Sequence, residues 1–398
     1  MTTTEEPQSF PFEGADRQKM SPDYRRARET EGLARVQPPF GGPAWLATRH
    51  EDVKTVLSDP RFSRARALGE DSPRLVPFLP PPDTIMAMDP PDHTRLRRLV
   101  TQAFTMRRIE QLRPRIQEIV DGLLDDMEKQ DGPADLVRSF ALPVSVTVIC
   151  ELLGVPYADR DRFQSWVDII MSTEHPLDVV MRANGDLMSY LGGLVQQRRV
   201  EPTDDLLGVL VQARDDGDRL TEQETVGLAA AVLIAGYEVT ANQIGNFGFA
   251  LLTHPEELRM LREDPGLTAQ AVEEMLRVIP PSIGEGIPRV ATEDVELGGV
   301  VVKAGEAVLP SMMAANLDAT VFPDAERMDF HRAENAHLAF GHGAHRCLGA
   351  QLARLELQIV VATLVRRLPG LRLAVAADEV PWRRNTLWSA PESLPVTW

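Results

Sequence analysis

A single cysteine near the end of the chain is its most distinctive group for chemistry. Cys347 lies among three glycines in residues 340–349, and glycine permits sharp turns and the close approach of a flat ligand. An apolar periodic segment from residue 348 to about residue 367 follows at once and predicts a helix. The free N–H groups and the dipole of a helix N-terminus favour a negative charge by roughly 0.3–1 kcal/mol. The position therefore favours a thiolate, which is a metal ligand.

The number of cysteines restricts the kind of metal site. The chain has two cysteines, Cys150 and Cys347, and Cys150 lies in an apolar run that predicts a place in the core. Zinc and iron–sulfur sites need several protein ligands. A haem needs a single axial atom, because the porphyrin supplies four nitrogens. Cys347 lacks the spacing of covalent haem attachment, so a haem held only by its axial ligand fits best.

The segment around Cys347 reads Phe-Gly-x-Gly-x-His-x-Cys-x-Gly and closely resembles the signature of the cytochrome P450 haem-thiolate monooxygenases. Six fixed positions match by chance about once in a hundred million start points. The resemblance covers nearly the whole chain. It implies a mainly α fold with a small β portion, in which the haem lies between a long central helix and the cysteine loop with the helix that follows it.

The resemblance also implies the cofactor and the residues around it. The cofactor would be haem b, iron protoporphyrin IX, with Cys347 as the metal ligand and Phe340 packed near the thiolate. The residues that the resemblance assigns to cofactor binding are His93, Arg97, Ala235, Gly236, Arg289, Phe340, Gly341, His345, Cys347 and Gly349.

A long helix is predicted before this segment, and its middle is unusual. Thr221 and Glu224 have the spacing of a capping box, and the helical pattern runs to about residue 252. Gly236 weakens a helix by about 1 kcal/mol, and an unpaired buried Glu238 would be costly. The break resembles the family's oxygen-activation motif, Ala/Gly-Gly-x-acid-Thr-Thr, in which the acid and the next alcohol relay protons to dioxygen. Glu238 matches the acid and Thr240 the second threonine.

The chain departs from this motif at one catalytic position. Val239 stands where the family has the first threonine, and valine neither donates nor accepts a hydrogen bond. Three interpretations stay open. The substrate or an ordered water supplies the hydroxyl; Thr240 turns in, although the next helix residue points about 100° away; or the reaction needs no such relay, as in oxidative coupling or a peroxide-driven route. We favour the first.

Two cations share a predicted helix face elsewhere in the chain. His93 and Arg97 are four residues apart, and Asp89 is placed to cap their helix. Cations that share one face favour an anion. The resemblance implies that His93 and Arg97 bind haem propionates, together with Arg289 and His345.

Glu274 and Arg277 lie three residues apart on a predicted helix and therefore face together. The pair resembles the family's Glu-x-x-Arg motif, which an arginine of a later segment completes. The match for that arginine is Arg327, and we assign the three residues to folding and pocket assembly. The resemblance places Ser282 and Ile283 beside the substrate. Ile234 and Leu387 are further candidates for the substrate pocket, and a packed tail is an equal alternative for Leu387.

Composition excludes several classes of function. The net charge of −17 argues against nucleic acid, which requires a basic face, and against anionic lipid. Two cysteines form no disulfide framework, which suits a reducing cytosol. Residues 1–10 contain no apolar run, so we expect no signal peptide or membrane anchor and a soluble, cytoplasmic bacterial enzyme.

The domain organisation expected is simple. Residues 1–20 are polar and unpatterned and are predicted to be disordered. Residues 21–398 contain no linker or repeat and are predicted to form a single cytochrome P450 domain. Shorter patterns predict strands at residues 44–48 and 307–309, a helix at 50–57, a hairpin at 295–302 and an irregular tail from residue 384.

The function expected is insertion of one oxygen atom from O2 into a small organic substrate, by hydroxylation or epoxidation, in secondary metabolism. No flavin or iron–sulfur module is recognised, so electrons would come from a ferredoxin and an NAD(P)H-dependent ferredoxin reductase. Peroxide-driven oxidation or oxidative coupling stays open because of Val239. A non-catalytic haem protein is the third alternative, and the retained Glu238 argues against it.

Overall fold

The computed structural model describes residues 6–29, 32–76, 79, 81–130, 132–171, 175–213, 220–281, 287–383 and 388–398. The helices in these residues are α1 (Pro22–Glu29), α2 (His50–Ser58), α3 (Asp92–Thr101), α4 (Met106–Gln111), α5 (Arg113–Glu128), α6 (Leu142–Leu153), α7 (Arg160–Met171), α8 (Leu177–Val200), α9 (Leu206–Ala213), α10 (Glu222–Thr253), α11 (Pro255–Glu263), α12 (Thr268–Val278), α13 (Met312–Asn316) and α14 (Ala350–Arg367). The strands are β1 (Gln8–Ser9), β2 (Ala34–Gln37), β3 (Ala44–Ala47), β4 (Phe62–Ser63), β5 (Ala134–Asp135), β6 (Arg289–Ala291), β7 (Val295–Leu297), β8 (Val300–Val302), β9 (Ala307–Pro310), β10 (Arg372–Leu373) and β11 (Pro395–Thr397).

The chain forms two compact units. The first contains Met1–Pro91, Ala269–Cys347 and Leu387–Ser389, and the second contains Asp92–Thr268, Leu348–Thr386 and Ala390–Trp398. The mainly helical content with a small sheet portion is the predicted fold class. The extent of the predicted single domain stays a prediction.

The first unit is built on a six-stranded sheet with the order β1-β2-β3-β9-β6-β4. Strands β3 and β9 of this sheet pair in parallel, with Leu46 opposite Leu309. Both side chains are at most 1% exposed and belong to the apolar core. The predicted strands at 44–48 and 307–309 and the predicted helix at 50–57 are confirmed as β3, β9 and α2. Next to the sheet, β7 and β8 form the predicted hairpin, and its turn residues Gly298 and Gly299 both have positive φ.

The prediction of disorder in residues 1–20 is wrong for residues 6–20. Strand β1 pairs in parallel with β2, and Phe10 is only 2% exposed. Phe10, Phe12 and Tyr24 pack edge to face, with ring centroids 5.0–6.2 Å apart. Two aromatic rings in a polar segment provide enough apolar area to hold it against a sheet that already exists. Residues 1–5 lie outside the described residues.

The second unit is helical, and α10 runs through it. The predicted capping box is confirmed: the Glu224 N–H donates to Thr221 Oγ1 at 3.1 Å, and the Thr221 N–H donates to Glu224 Oε2 at 2.7 Å. Helices α6, α8 and α14 pack against α10, whose C-terminal half from Thr240 to Leu251 is buried. The buried stretch includes polar residues as well as apolar ones, among them Asn242, Gln243 and Asn246.

Helix α10 is long and apolar enough to cross a membrane by length and composition, and 56% of its most apolar window is buried. The core helix of a soluble protein meets the same criterion. At the end of the chain, β11 pairs with β10 and β5 in a three-stranded sheet. The tail is therefore more regular than the sequence pattern predicts.

Candidate active site

Main-chain hydrogen bonds close the loop that carries Cys347. The Cys347 N–H donates to Phe340 O at 2.7 Å, and the Gly341 N–H donates to Leu338 O at 2.8 Å. Helix α14 begins three residues later at Ala350, so the predicted helix is confirmed with a start two residues later than expected. Cys347 is exposed. The loop therefore fixes the cysteine backbone at an exposed position.

One glycine of this loop is required by its surroundings. Gly343 has a φ of +69°, and a Cβ there would lie 2.4 Å from the main-chain oxygen of Leu57 at the end of α2. A side chain would collide with backbone, which cannot move aside cheaply. The loop therefore takes its shape from contact with α2 within the first unit.

Arg289 begins β6 and is 2% exposed. Its Nη1 donates to Ile287 O at 2.9 Å, while its Nη2 has no hydrogen-bond partner among the described residues. Burial lowers the pKa of Arg289 to about 10, although the charge of Asp89 opposes the shift. A buried cation with an unsatisfied donor is costly unless an anion joins it.

Arg64 is a further cation of this region that sequence reasoning missed. Its Nη1 donates to Met86 O at 2.8 Å and lies 3.2 Å from Nδ1 of His345. The structure thus connects the predicted propionate ligand His345 to a residue 281 positions earlier. No motif marked Arg64, because its role arises from strand pairing rather than from local spacing. Asp89 accepts from the Arg64 N–H at 2.8 Å, so its carboxylate serves this unit rather than capping α3 as predicted.

The predicted pair of Glu274 and Arg277 is buried, with side chains 1% and 0% exposed. Arg277 Nη2 donates to Glu274 Oε1 at 2.7 Å, and Arg277 Nε donates to Oε2 at 2.8 Å. Burial alone would raise the pKa of Glu274, but hydrogen bonds from Arg277, Asp329 and Arg332 hold it below its usual range.

The assignment of Arg327 as the third member of this group is wrong. The third guanidinium belongs to Arg332, whose Nε donates to both oxygens of Glu274 at 3.1 Å. The side chain of Arg327 is 67% exposed and pairs with Asp329 at 2.8 Å, and only its main-chain oxygen accepts from Arg277. The turn at residues 324–327 directs that side chain outwards, which a spacing pattern could not reveal.

In the second unit, the acid of α10 has a cationic partner. Glu238 Oε1 accepts from Arg383 Nη1 at 2.6 Å, and the two side chains are 10% and 24% exposed. The Arg383 N–H donates to Ala390 O at 3.0 Å, so the backbone beside Arg383 is held in place. Glu238 is therefore an ion-paired carboxylate, and the cost of an unpaired buried charge is avoided.

A second acid lies close to this pair. The hydroxyl of Tyr237 donates to Asp168 Oδ1 at 3.4 Å. Burial raises the pKa of Asp168, while the Tyr237 hydrogen bond and the charge of Arg383 oppose that rise. Asp168 also lines a surface pocket of about 430 Å³, whose lining residues are Asp161, Gln164, Ser165, Asp168, Ile169 and His175. Polar groups thus lie between the solvent and the neighbourhood of Glu238.

The middle of α10 leaves one apolar stripe open. Ala235 is exposed, and Val232 and Val239 on the same face are half-buried, as is Ile234 beside them. Thr240 is 8% exposed and turned away from this stripe. This part of α10 therefore presents small and β-branched side chains, which suit a planar apolar ligand.

Gly236 has a packing reason that the resemblance does not imply. A Cβ at this position would lie 2.7 Å from Cδ1 of Ile149 on α6. The glycine therefore permits the close approach of α6 and α10 within the second unit. Its contact with a cofactor stays a prediction.

Two further predicted groups have different outcomes. His93, the second residue of α3, is 2% exposed, and Arg97 lies one turn later on the same helix and is half-buried. Ser282, Ile283 and Leu387 lie outside the described residues. The assignments of all five stay predictions.

The residues of the first unit fit a haem with an iron and carboxylates. The described residues contain no group of three or more His, Cys, Asp or Glu that could hold a metal ion. The exposed Cys347 offers one thiolate, and Arg289 offers an unsatisfied buried donor to a carboxylate.

Comparison with known proteins agrees with this arrangement. The cytochrome P450 family profile matches residues 41–198 and 180–369. Nocardicin C N-oxygenase of Nocardia uniformis subsp. tsuyamanensis is 49% identical over 400 residues, which are 100% of both chains. Mycinamicin IV hydroxylase/epoxidase of Micromonospora griseorubida is 48% identical and also covers 100% of both chains.

A solved structure gives the same result in three dimensions. The LnmA cytochrome P450 hydroxylase from the leinamycin biosynthetic pathway of Streptomyces atroolivaceus S-140 superposes with a TM-score of 0.93 at 50% identity, covering 98% of this chain and 100% of that one. Fold and site define a haem-dependent oxidoreductase. The chain belongs to the cytochrome P450 family. It is accordingly a monooxygenase with a haem, a small-molecule substrate, O2 and redox partners.

Proposed function

We propose that this enzyme inserts one oxygen atom from O2 into an intermediate of secondary metabolism, by hydroxylation or epoxidation, with haem b held by Cys347. The observation that carries the proposal is the exposed Cys347 in a loop closed by its hydrogen bond to Phe340 O at 2.7 Å. The names of the similar proteins support the substrate class, since they refer to nocardicin, mycinamicin and leinamycin.

Binding of the cofactor is assigned to this chain's own charged groups. When bound, the haem supplies the iron at which dioxygen is activated. Cys347 would hold the iron through its sulfur, and a thiolate is favoured by the helix start at Ala350. Within the first unit, Arg289 and His345 would bind a propionate, and the unsatisfied Nη2 of Arg289 supports that role. In the second unit, His93 and Arg97 would be propionate ligands by the resemblance described above.

Proton supply is assigned to Glu238. Its Oε1 accepts a hydrogen bond from Arg383, which holds the carboxylate in place until that bond breaks. Rotation of the Glu238 side chain away from Arg383 would let the carboxyl carry one proton towards the substrate side of α10. Asp168 and Tyr237 provide polar groups from which that proton can be replaced.

Because Val239 has no hydroxyl, the proposed proton supply lacks the alcohol that the first threonine of the family's motif provides. Thr240 is largely buried and points about 100° away along the helix, which disfavours it as a substitute. We infer that a hydroxyl of the substrate, or a water that it orders, completes proton delivery. The substrate is therefore expected to carry a hydroxyl or another hydrogen-bonding group close to the oxidised carbon.

We further assign a ferredoxin and an NAD(P)H-dependent ferredoxin reductase as electron donors, and the cytoplasm as the location. Two cysteines cannot build an iron–sulfur centre of the usual four-thiolate kind, which supports electron supply by a second protein. NAD(P)H and ferredoxin couples belong to the cell interior, where thiols stay reduced.

The test has two stages. A compound library is first screened by spectral titration for the change from low to high spin, which occurs when a substrate displaces the water on the iron. The compounds that bind are then incubated with ferredoxin, reductase and NADPH, and mass spectrometry should show addition of one oxygen atom. Binding compounds that give no oxygenated product under any donor system would contradict the proposal.

The second candidate is peroxide-driven oxidation or oxidative coupling, and Val239 is the observation that favours it. A reaction without the relay would need no alcohol at that position. Turnover with hydrogen peroxide, together with no turnover with NADPH, ferredoxin and reductase, would support it. Formation of dimeric products from phenols would identify coupling.

A further inference from the structure

Two arginines face each other where strands β4 and β6 pair. Ser63 lies opposite Val290 in this antiparallel pair, and the register continues to place Arg64 opposite Arg289. Burial lowers the pKa of Arg64 well below its usual range, and the charge of Arg289 lowers it further. Like charges that meet in a partly dry environment repel, so the fold carries a cost at this point.

Among the described residues, Asp89 is the acid whose charge opposes these two cations, and it is already engaged. Asp89 raises the pKa of both arginines, but its hydrogen bonds serve other groups. Oδ1 accepts from the Arg64 N–H at 2.8 Å, and Oδ2 accepts from Ser63 Oγ and from the Ala65 N–H. Two guanidinium groups and one carboxylate leave an excess of one positive charge.

Each guanidinium also keeps an unsatisfied donor. Nη2 of Arg289 and Nε of Arg64 are buried and have no hydrogen-bond partner among the described residues. An unsatisfied buried donor costs about 1–3 kcal/mol, and more when it is charged. An anion with two oxygens could satisfy both donors at once, and a carboxylate matches the planar fork of arginine best.

Arg64 also determines the hydrogen-bonding state of His345. Its Nη1 lies 3.2 Å from Nδ1 of His345, and arginine can only donate. Nδ1 must therefore be the acceptor, which places the proton of the imidazole on Nε2. Arg64 thus orients His345 so that its other nitrogen is a donor, as an anion would require.

We propose that Arg64 and Arg289 together bind one carboxylate, with Nε2 of His345 as an additional donor. The resemblance already assigned Arg289 and His345 to a carboxylate, and Arg64 is the residue that the structure adds to them. The inference rests on the proposed function, since a haem propionate is the carboxylate that the cofactor would bring. A carboxylate of the substrate is the other source of the same chemistry, and the experiment below separates the two.

The first arm measures release of haem from the purified holoprotein to an excess of apomyoglobin. Arg64→Gln removes the charge and the fork, and one lost charged hydrogen bond should speed release about tenfold to hundredfold. Arg66→Gln is the matched control, because Arg66 is exposed and two residues away. Arg64→Lys keeps the charge but lacks the planar guanidinium, and its rate of haem release should lie between those of the wild type and Arg64→Gln. The reduction potential should fall in Arg64→Gln but not in Arg64→Lys, whereas a purely structural role would leave it unchanged.

The second arm uses benzoate as the probe and benzamide as its uncharged control, followed by spectral titration. If Arg64→Gln releases haem at the wild-type rate but loses benzoate binding alone, the pair binds a substrate carboxylate. Faster haem release with benzoate binding unchanged identifies the propionate. Identical behaviour of Arg64→Gln and Arg66→Gln in both arms would overturn the proposal.

Failure of the proposed function would look different. A wild-type protein that holds no haem refutes the haem assignment at once, before any variant is compared. Calorimetric titration with benzoate would then still test whether the arginine pair binds a carboxylate. Loss of benzoate binding in Arg64→Gln would support the proposal, and equal binding in all variants would contradict it.

Discussion

Nη1 of Arg383 lies 2.6 Å from Oε1 of Glu238, so a cation close to the end of the chain holds the acid of α10. The two residues are 145 positions apart in sequence. Their contact makes Glu238 an ion-paired group, and its availability for proton transfer depends on how readily Arg383 releases it. Both partners can therefore be tested through the same reaction.

Arg383→Met should release Glu238 and uncouple electron use from product formation. Glu238→Gln, which cannot carry a proton, should lower turnover about 100-fold or more, within the usual range for a general acid. Product formed per NADPH consumed is the measurement. Arg372→Gln is the control, since Arg372 is exposed on β10. Equal coupling in Arg383→Met and the control would show that the ion pair has no part in proton supply.

Val239→Thr restores the alcohol that the motif usually has. We expect product per NADPH to rise with substrates that lack a hydroxyl near the oxidised carbon, because they cannot supply the missing donor themselves. Val232→Thr tests the same substitution on the same face of α10, two turns earlier. If coupling neither rises nor falls in Val239→Thr, this position takes no part in proton delivery.

The corrected partner of Glu274 predicts unequal effects of two arginines. Arg332→Ala leaves a buried carboxylate short of a cation and should reduce the free energy of unfolding by about 3–5 kcal/mol. Arg327→Ala removes an exposed pair and should cost less than about 1 kcal/mol. Urea unfolding followed by circular dichroism measures both. A larger loss in Arg327→Ala than in Arg332→Ala would restore the original assignment.

The pKa of Glu274 is lowered in the folded state, so the sign of its pH dependence is fixed. Its contribution to stability is fully present above the ordinary carboxyl pKa of about 4.3 and is lost as the pH falls through the lowered folded value. Urea midpoints from pH 7 down to pH 3 should therefore fall more steeply in the wild type than in Glu274→Gln. Parallel curves for the two proteins would contradict this.

The pKa of Glu356 on α14 is shifted in the opposite direction to that of Glu274, so its effect on stability has the opposite pH dependence. It is 3% exposed, Ser145 Oγ donates to its Oε1 at 3.1 Å, and burial raises its pKa to about 8. The folded state therefore keeps a proton that the unfolded state loses above its ordinary pKa, and stability falls as the pH rises from that value to about 8. Glu356→Gln should be more stable than the wild type at pH 7 by about 3 kcal/mol, since each pKa unit is worth 1.36 kcal/mol.

Urea unfolding at pH 5, 7 and 8 measures this effect, and the difference between Glu356→Gln and the wild type should shrink towards pH 5. The exposed Glu201→Gln serves as the control and should show no such trend. A constant difference at all three pH values would mean that Glu356 does not change protonation on unfolding.

Local signals explain which features were predictable from the sequence. Cys347 and its glycines, the capping box at Thr221 and the hairpin turn at Gly298 each depend on residues within a few positions of one another. Such patterns carry their own physical cause, whether a turn, a cap or a helix start. They located the fold class, the candidate iron ligand and the central helix.

The features that were missed depend on contacts between distant segments. Arg64 reaches His345 across 281 positions, Arg383 reaches Glu238 across 145, and Arg332 reaches Glu274 across 58. An arginine gives no local sign of which carboxylate it will meet, because its long side chain can reach many partners. The order of residues 6–20 likewise depends on a sheet that other segments build.

The thiolate of Cys347 is tested most directly by the absorption spectrum of the reduced protein with carbon monoxide. We expect the wild type, and Cys150→Ser as the control at a buried cysteine, to show the red-shifted Soret band of sulfur-ligated haem. Cys347→Ser should lose that band. A wild-type spectrum without it, or an unchanged band in Cys347→Ser, would contradict the assignment of Cys347 as the iron ligand.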